Sequence, residues 1–505
     1  MRLSRVLPAV PLALALLVGV PAGAQPAPVG EVAFANSGAE AAQPAFRRGL
    51  AQLHNFEYPA AIAAFREAQA ADPDFVMAYW GEAMAYNHPV WMEQDRDAAR
   101  AVLARLGPTR EARLARVRDP RERAYLEAVE ILYGEGTKEE RDHLYSAAMA
   151  SLHARWPNDV DGRAFYALSL LGLAHEGRDV GLYMRAAALL EEAFPTNRRH
   201  PGVLHYLIHS YDDPTHAPLG MRAALLYADV APEAPHALHM TSHIFLALGM
   251  WDETVEVNAR AMRVVNRDRA AKGQSSLHCG HYPEWRFYAE LQRGRLVEAD
   301  ALLDACLTQA RGDLAAGGAG SANRFEAPRS AVYSWSGMAL RRLVETGEWP
   351  KQRLDIPAGG GWLGSRFAMA YGDALIARDA ASARAARERI EALAEEARGA
   401  VPKGSADARY VEARLGVLLG QVRGLEASRA GRTEEGLELL RKAAEAETAM
   451  PVEFGPPAVE KPGWELLGDE LLKAGRRDEA RAAYRRALAA APGRRLSLAG
   501  LKAAG

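Results

Sequence analysis

His205 and His239 stand 34 residues apart, and so do His209 and His243. A recurrence at 34 is the period of a helical hairpin repeat. This constrains the chain more than any other feature. A lone hairpin leaves an apolar face exposed, so hairpins have to stack, and what sits at one place in one repeat recurs in the next. Of 14 histidines, nine fall between His200 and His281, so histidine is what recurs here.

The rest of the chain agrees with helices. Ala, Leu, Arg and Glu dominate and β-branched runs are scarce, as in all-helical proteins. Lys+Arg (62) and Asp+Glu (64) are well mixed, with a net charge of −2, as on solvated helix faces. That balance gives no electrostatic basis for binding nucleic acid. There is no nucleotide-binding glycine loop, no G-x-S-x-G and no H-E-x-x-H, which leaves the common signatures of nucleotide, acyl-transfer and metalloprotease chemistry out.

The first residues read as a targeting segment. Arg2 and Arg5 precede an apolar run from Val6 to Val20, and Ala22-Gly23-Ala24 precedes Gln25. This pattern predicts a signal peptide over residues 1–24 and a periplasmic or secreted product. No later apolar run approaches the ~20 residues of a membrane span. Cys279 and Cys306 fall near the start and the end of one expected hairpin, so a disulfide is possible in an oxidising compartment. Two ordinary buried thiols are the alternative.

Along the chain, residues 25–41 are expected to form a flexible N-terminus and 42–310 a first array carrying the histidine site. Residues 311–365 read as a loop-rich connector with one helix, and 366–505 as a second array. Gly49, Ala61, Phe65, Ala68 and Pro73 mark the first hairpin. The clearest is the last, with Trp464, Leu467, Gly468, Gly475, Ala480, Tyr484, Ala487 and Pro492. Small residues let two helices approach and large ones fill the gaps. Residues 450–463 hold too many prolines for a helix, and Phe454 among them predicts a loop docked on the array.

The chemistry gathers at the central repeats. His205 and His209 are i, i+4 on a helix starting at Pro201 and share a face; Asp212 lies a turn further on. His236, His239 and His243 share a face of the next first helix, and His281 opens the one after, with Glu284 and Tyr288 at i+3 and i+7. First helices of successive hairpins are parallel neighbours about 10 Å apart. The 34-residue register therefore predicts His205 beside His239 and His209 beside His243, a four-imidazole patch on the concave side. Asp212, His236 and His281 are supporting or alternative ligands. Imidazole and carboxylate suit zinc, copper or iron. His54 and His88 repeat the 34-residue spacing nearby, and Trp80, His88, Tyr206, His236, Glu284 and Tyr288 are the candidates for contacts to an organic or peptide ligand. Other readings compete: solvated lining for the histidines, core packing for Trp80 and Tyr206, and a helix-end role for Asp212 before Pro214.

With these residues in view, most of 42–495 resembles the tetratricopeptide repeat superfamily, most closely at the C-terminal hairpin. More narrowly, the chain is similar to exported bacterial repeat proteins carrying H-P-G-x-x-H-Y-x-I-H (His200 to His209), S-H-I-F-x-x-L-G-x-W (Ser242 to Trp251) and F-G-P-P (Phe454 to Pro457). The superfamily resemblance implies an all-α, right-handed α-solenoid whose concave groove binds protein or peptide partners. Clamps for a peptide carboxylate use Lys, Arg and Asn, whereas this groove offers His, Asp and aromatics. The expectation is an exported repeat protein holding a divalent transition metal at His205, His209, His239 and His243. A metal-dependent enzyme, with Asp212 or Glu284 as proton acceptor, and a metal-free interaction scaffold are the other two readings.

Overall fold

The computed structural model describes residues 28–316, 330–358 and 362–505. Among them, α-helices follow one another from Gln43–His54 to Arg495–Ala503, each packed chiefly on its neighbours in sequence. The architecture is all-α, an α-solenoid of stacked helical hairpins. The exception among the described residues is a two-residue ribbon pairing Asn87–His88 with Glu93–Gln94, at the point where His88-Pro89 interrupts the second hairpin.

Local chemistry starts and packs these helices. Asp159 caps Val160–Leu171 by accepting from the Gly162 N–H, and Thr137 with Glu140 forms a capping box ahead of Lys138–Arg155, which satisfies first-turn donors. In the C-terminal hairpin a Cβ on Gly468 would come within 2.8 Å of the Tyr484 ring. Glycine there is what lets Gly463–Lys473 and Arg477–Ala490 close on each other.

Two segments differ from expectation. Residues 28–39 lie against the first repeats in place of a flexible tail: Phe34 is buried against Phe46, Trp80 and Tyr125, and Asn55 donates to the Val29 carbonyl at 2.8 Å. The apolar side chains of Val29 and Phe34 fill a gap the helices leave, and that burial holds the strand-like segment down. Ala331–Thr346, expected inside a connector, packs on Leu296–Ala315 before it and Leu363–Leu375 after it and so continues the array.

Cys279 and Cys306 are joined, with Cα atoms 4.9 Å apart. They tie the start of His281–Gln292 to Leu296–Ala315. A closed loop of this size stabilises by about 3 kcal/mol in the chain-entropy picture. Reduction, or Cys279→Ser with Cys306→Ser, is therefore expected to lower the melting temperature by several degrees in a thermal scan; an unchanged scan would contradict it.

The array also returns on itself. Residues 492–495 reach the middle of the chain, where Trp251 Nε1–H donates to the Gly493 carbonyl at 3.1 Å and Arg495 N–H to Gln292 at 2.9 Å. Arg494 is 1% exposed and bonds both Glu465 oxygens, at 2.8 and 2.9 Å. A buried guanidinium needs this bidentate pairing.

Candidate metal centre

Three helices present the histidines: Pro201–Tyr211, Pro235–Ala247 and His281–Gln292. Pro201 and Pro235 each occupy the first helical position, where a missing N–H costs nothing. The i, i+4 spacing then places His205 with His209, and His239 with His243, on inward faces. Exposure is 0% for His205, 2% for His209, 0% for His239 and 5% for His243, so they lie inside the array rather than on an open groove wall.

Their grouping differs from the 34-residue pairing. His205, His209 and His236 form one trio, and His239, His243 and His281 another; within each, one ligand-type nitrogen per ring lies within 4.8 Å of the others. Ring centroids are 4.8 Å apart for His205–His209 and 5.1 Å for His205–His236. In the second trio they are 4.9 Å for His239–His243 and 4.4 Å for His239–His281. The register does bring His209 beside His243, with ring centroids 6.1 Å apart, but the closest contacts lie within each trio. The side chains that meet come from one helix and from the first turn of the next.

Hydrogen bonds fix which nitrogen of each ring is open. In the second trio, Asn258 donates its amide to the Thr254 carbonyl at 2.8 Å, which turns its oxygen to His239 Nδ1 at 2.8 Å. His243 Nδ1–H donates to Asp212 at 2.5 Å. Both Nδ1 positions thus carry the proton, and the two Nε2 atoms face each other at 3.1 Å. Two neutral imidazoles so arranged meet lone pair to lone pair, and that contact requires a cation between them, a proton or a metal ion. In the first trio, His205 Nδ1–H donates to the His54 carbonyl at 2.6 Å. That leaves His205 Nε2 buried with no hydrogen-bond partner, and neither His209 nitrogen has one.

Electrostatics keeps His205, His209 and His239 neutral. Burial holds His205 well below the ordinary histidine pKa, with His209 adding to it. Burial does the same to His209 and His239, helped by His243 and His281 respectively. Neutral imidazole is the metal-binding form.

Aromatic side chains wall the site. The Phe56 ring sits 4.3 Å from His205 and 5.8 Å from His209, and its φ of 58° is left-handed backbone that a bulky residue seldom adopts. The Trp285 ring lies 4.6 Å from His239, edge to face, and 4.4 Å from His243, tilted against it. The 450–463 loop lies across the top, with Phe454 at 6.4 Å from His209 and 6.1 Å from His243. Gly455 has φ +94°, and a Cβ there would lie 2.3 Å from Trp285 Cζ2. Gly455→Ala is therefore expected to lift the loop and speed limited proteolysis within 450–463. Cleavage at the wild-type rate would show that the loop is not held there.

The remaining candidates take other places. Asp212 orients His243 from its outer nitrogen, the carboxylate–histidine arrangement that fixes ring and tautomer beside a metal. Trp80 is 1% exposed in the core. Tyr206 is fully buried, its hydroxyl 3.0 Å from His54 Nδ1. His88 stacks on Tyr58 at 3.9 Å and does not meet His54. Tyr288 is 2% exposed and accepts from Arg494 at 3.0 Å, which places it at the closure of the array. Glu284 lines a separate cavity of about 310 Å³ with Tyr333, Arg341, Tyr371, Tyr410 and Arg414; burial raises its carboxyl pKa.

A third group was not visible in the sequence. Asp161 Oδ1 accepts from His54 Nε2–H at 2.9 Å and from His200 Nε2–H at 3.1 Å. His54 Nδ1 is met by Tyr206, and His200 Nδ1 accepts the Val203 N–H at 3.3 Å. Every histidine nitrogen here has a partner, which makes this a structural network. Burial lowers the His54 pKa to about 4 despite the Asp161 bond. The only sequence hint was His200 ahead of Pro201, the cap position.

Residues 462–494 match the family described as tetratricopeptide repeat. No curated protein matches the chain. Among solved structures, yeast Tom70 aligns over 92% of this chain and 94% of its own at 11% identity, with a TM-score of 0.29. The P58(IPK) TPR domain aligns over 92% and 97% at 11% identity, with a TM-score of 0.22. At these scores neither adds to what the helices themselves show. Among the described residues no helix is long and apolar enough to cross a membrane. Residues 462–494 are thus similar to a tetratricopeptide repeat, and the chain as a whole is a stack of helical hairpins lying on either side of the histidine site.

Proposed function

We propose that this chain binds a transition metal through the interior histidine trios and acts in an exported, oxidising compartment. The observation that carries the metal reading is the 3.1 Å approach of His239 Nε2 to His243 Nε2 with both Nδ1 protons already committed. The unpartnered nitrogens of His205 and His209 support it, because buried polar atoms without partners are costly. The Cys279–Cys306 bond supports the compartment. As a repeat array the chain also offers surfaces to protein partners. A peptide laid beside the histidines is disfavoured, because the 450–463 loop and the returning C-terminal hairpin already occupy that side. Metal content of the purified full chain, set against the His209→Ala/His243→Ala double variant, tests the reading. We expect bound metal in the first and its loss in the second; equal and negligible metal in both would end it.

A further inference from the structure

We propose that the two trios form one dinuclear site for a pair of copper ions, with dioxygen as the ligand that bridges them. The inference rests on the metal reading above and deepens it. The trios have the same construction: an i, i+4 histidine pair on one helix and a third histidine from the first turn of a helix. The helix Pro235–Ala247 serves both, giving His236 to the first and His239 with His243 to the second. Between trios, the His209 and His243 rings are 6.1 Å apart and those of His236 and His239 are 6.2 Å apart. A metal lies about 2 Å beyond its imidazole nitrogen, so ions held in the facing trios come close enough for one small molecule to span.

Charge selects the metal. Both trios consist of imidazole alone, and Asp212 is bonded to the outer nitrogen of His243. Glu57 accepts the His236 N–H at 2.8 Å. Phe56, Trp285 and Phe454 keep the surroundings apolar. Two divalent ions would place four positive charges among these buried rings, and burying charge is costly. Two cuprous ions bring half that charge, and imidazole is a good copper ligand.

The step balances with dioxygen as the named oxidant. Each cuprous ion gives one electron and becomes cupric. Dioxygen takes both, its O–O bond order falls from two to one, and peroxide remains bound between the ions. No proton moves and no group leaves. His281 is exposed, which gives the second trio an edge open to solvent.

The experiment loads the full chain with cuprous ion under nitrogen, counts copper, then admits oxygen. We expect two coppers per chain, uptake of one dioxygen per pair, an intense near-ultraviolet charge-transfer band and no cupric paramagnetic resonance signal. His209→Ala and the solvent-side His281→Ala should each hold one copper, give an ordinary cupric signal and lack the band; circular dichroism checks that both are folded. One copper per chain in the wild type, or two with independent cupric signals, overturns the pair and leaves metal binding standing. No copper and no other metal overturns both.

Discussion

His239→Ala will cost at least about 100-fold in zinc affinity at the trio it shares with His243 and His281. Zinc is the probe because it has no redox chemistry and binds imidazole in tetrahedral sites. The estimate is anchored by the loss of outer partners, which lowers metal affinity 10–100-fold; losing a ligand exceeds that. A graded series separates binding from general damage. Asp212→Asn keeps an acceptor for His243 Nδ1–H and removes the charge, so a loss of about 10-fold is expected. Asn258→Val removes the group that sets the His239 tautomer and should cost between 10- and 100-fold. His143→Ala, on an exposed face, should bind as the wild type does. Competition titration against a chelator reads all four. If His239→Ala and His143→Ala bind alike, the second trio holds no metal.

Asp161→Ala will destabilise the fold by about 2–6 kcal/mol, because it leaves two buried N–H donors without an acceptor at about 1–3 kcal/mol each. His54 and His200 would each keep an N–H aimed at nothing, and His54 is fully buried. Acid should act in the same direction on the wild type. His54 titrates near 4 in the folded chain and near 6.5 when unfolded. Between these values the unfolded state binds the extra proton, so stability falls as pH drops from 6.5 towards 4 and levels off below. That single group accounts for roughly 3 kcal/mol, and the depressed pKa values of His205, His209 and His239 add to the same slope. Urea denaturation of the metal-free chain at pH 7.5 and at 5 measures it. Equal midpoints at the two pH values would refute the neutral, buried state assigned to these rings.

Much of the scaffold was legible in the sequence. Trp464, Gly468 and Tyr484 announce a hairpin through size alternation, and the last hairpin packs as that predicts. Phe454 amid prolines announced a docked loop, and its ring lies over the histidines. The boundaries near residues 310 and 366 were less legible. A glycine- and alanine-rich stretch after residue 311 made Ala331–Thr346 read as part of a connector, although that helix packs on its neighbours like the others. The N-terminal segment was misleading for the opposite reason: its two anchors, Val29 and Phe34, are isolated apolar residues with no period, and only the gap they fill explains them.

The sequence by itself determined that the chain is a stacked helical array and that histidines crowd one face of each of three successive first helices; it placed those faces on the concave surface, whereas the structure buries them inside the array. Both follow from local rules, since a 3.6-residue helix makes i and i+4 neighbours and a 34-residue period makes hairpins stack. Only the tertiary structure decided which histidines meet. The register brings His209 beside His243, at 6.1 Å between rings, yet the tighter contacts of 4.4–5.1 Å join each i, i+4 pair to a histidine from the first turn of another helix. The trios instead depend on how far each helix slides along its neighbour, and the Asp161 network on a contact across 107 residues of chain. Neither is written in any local spacing, because both are set by packing of whole helices.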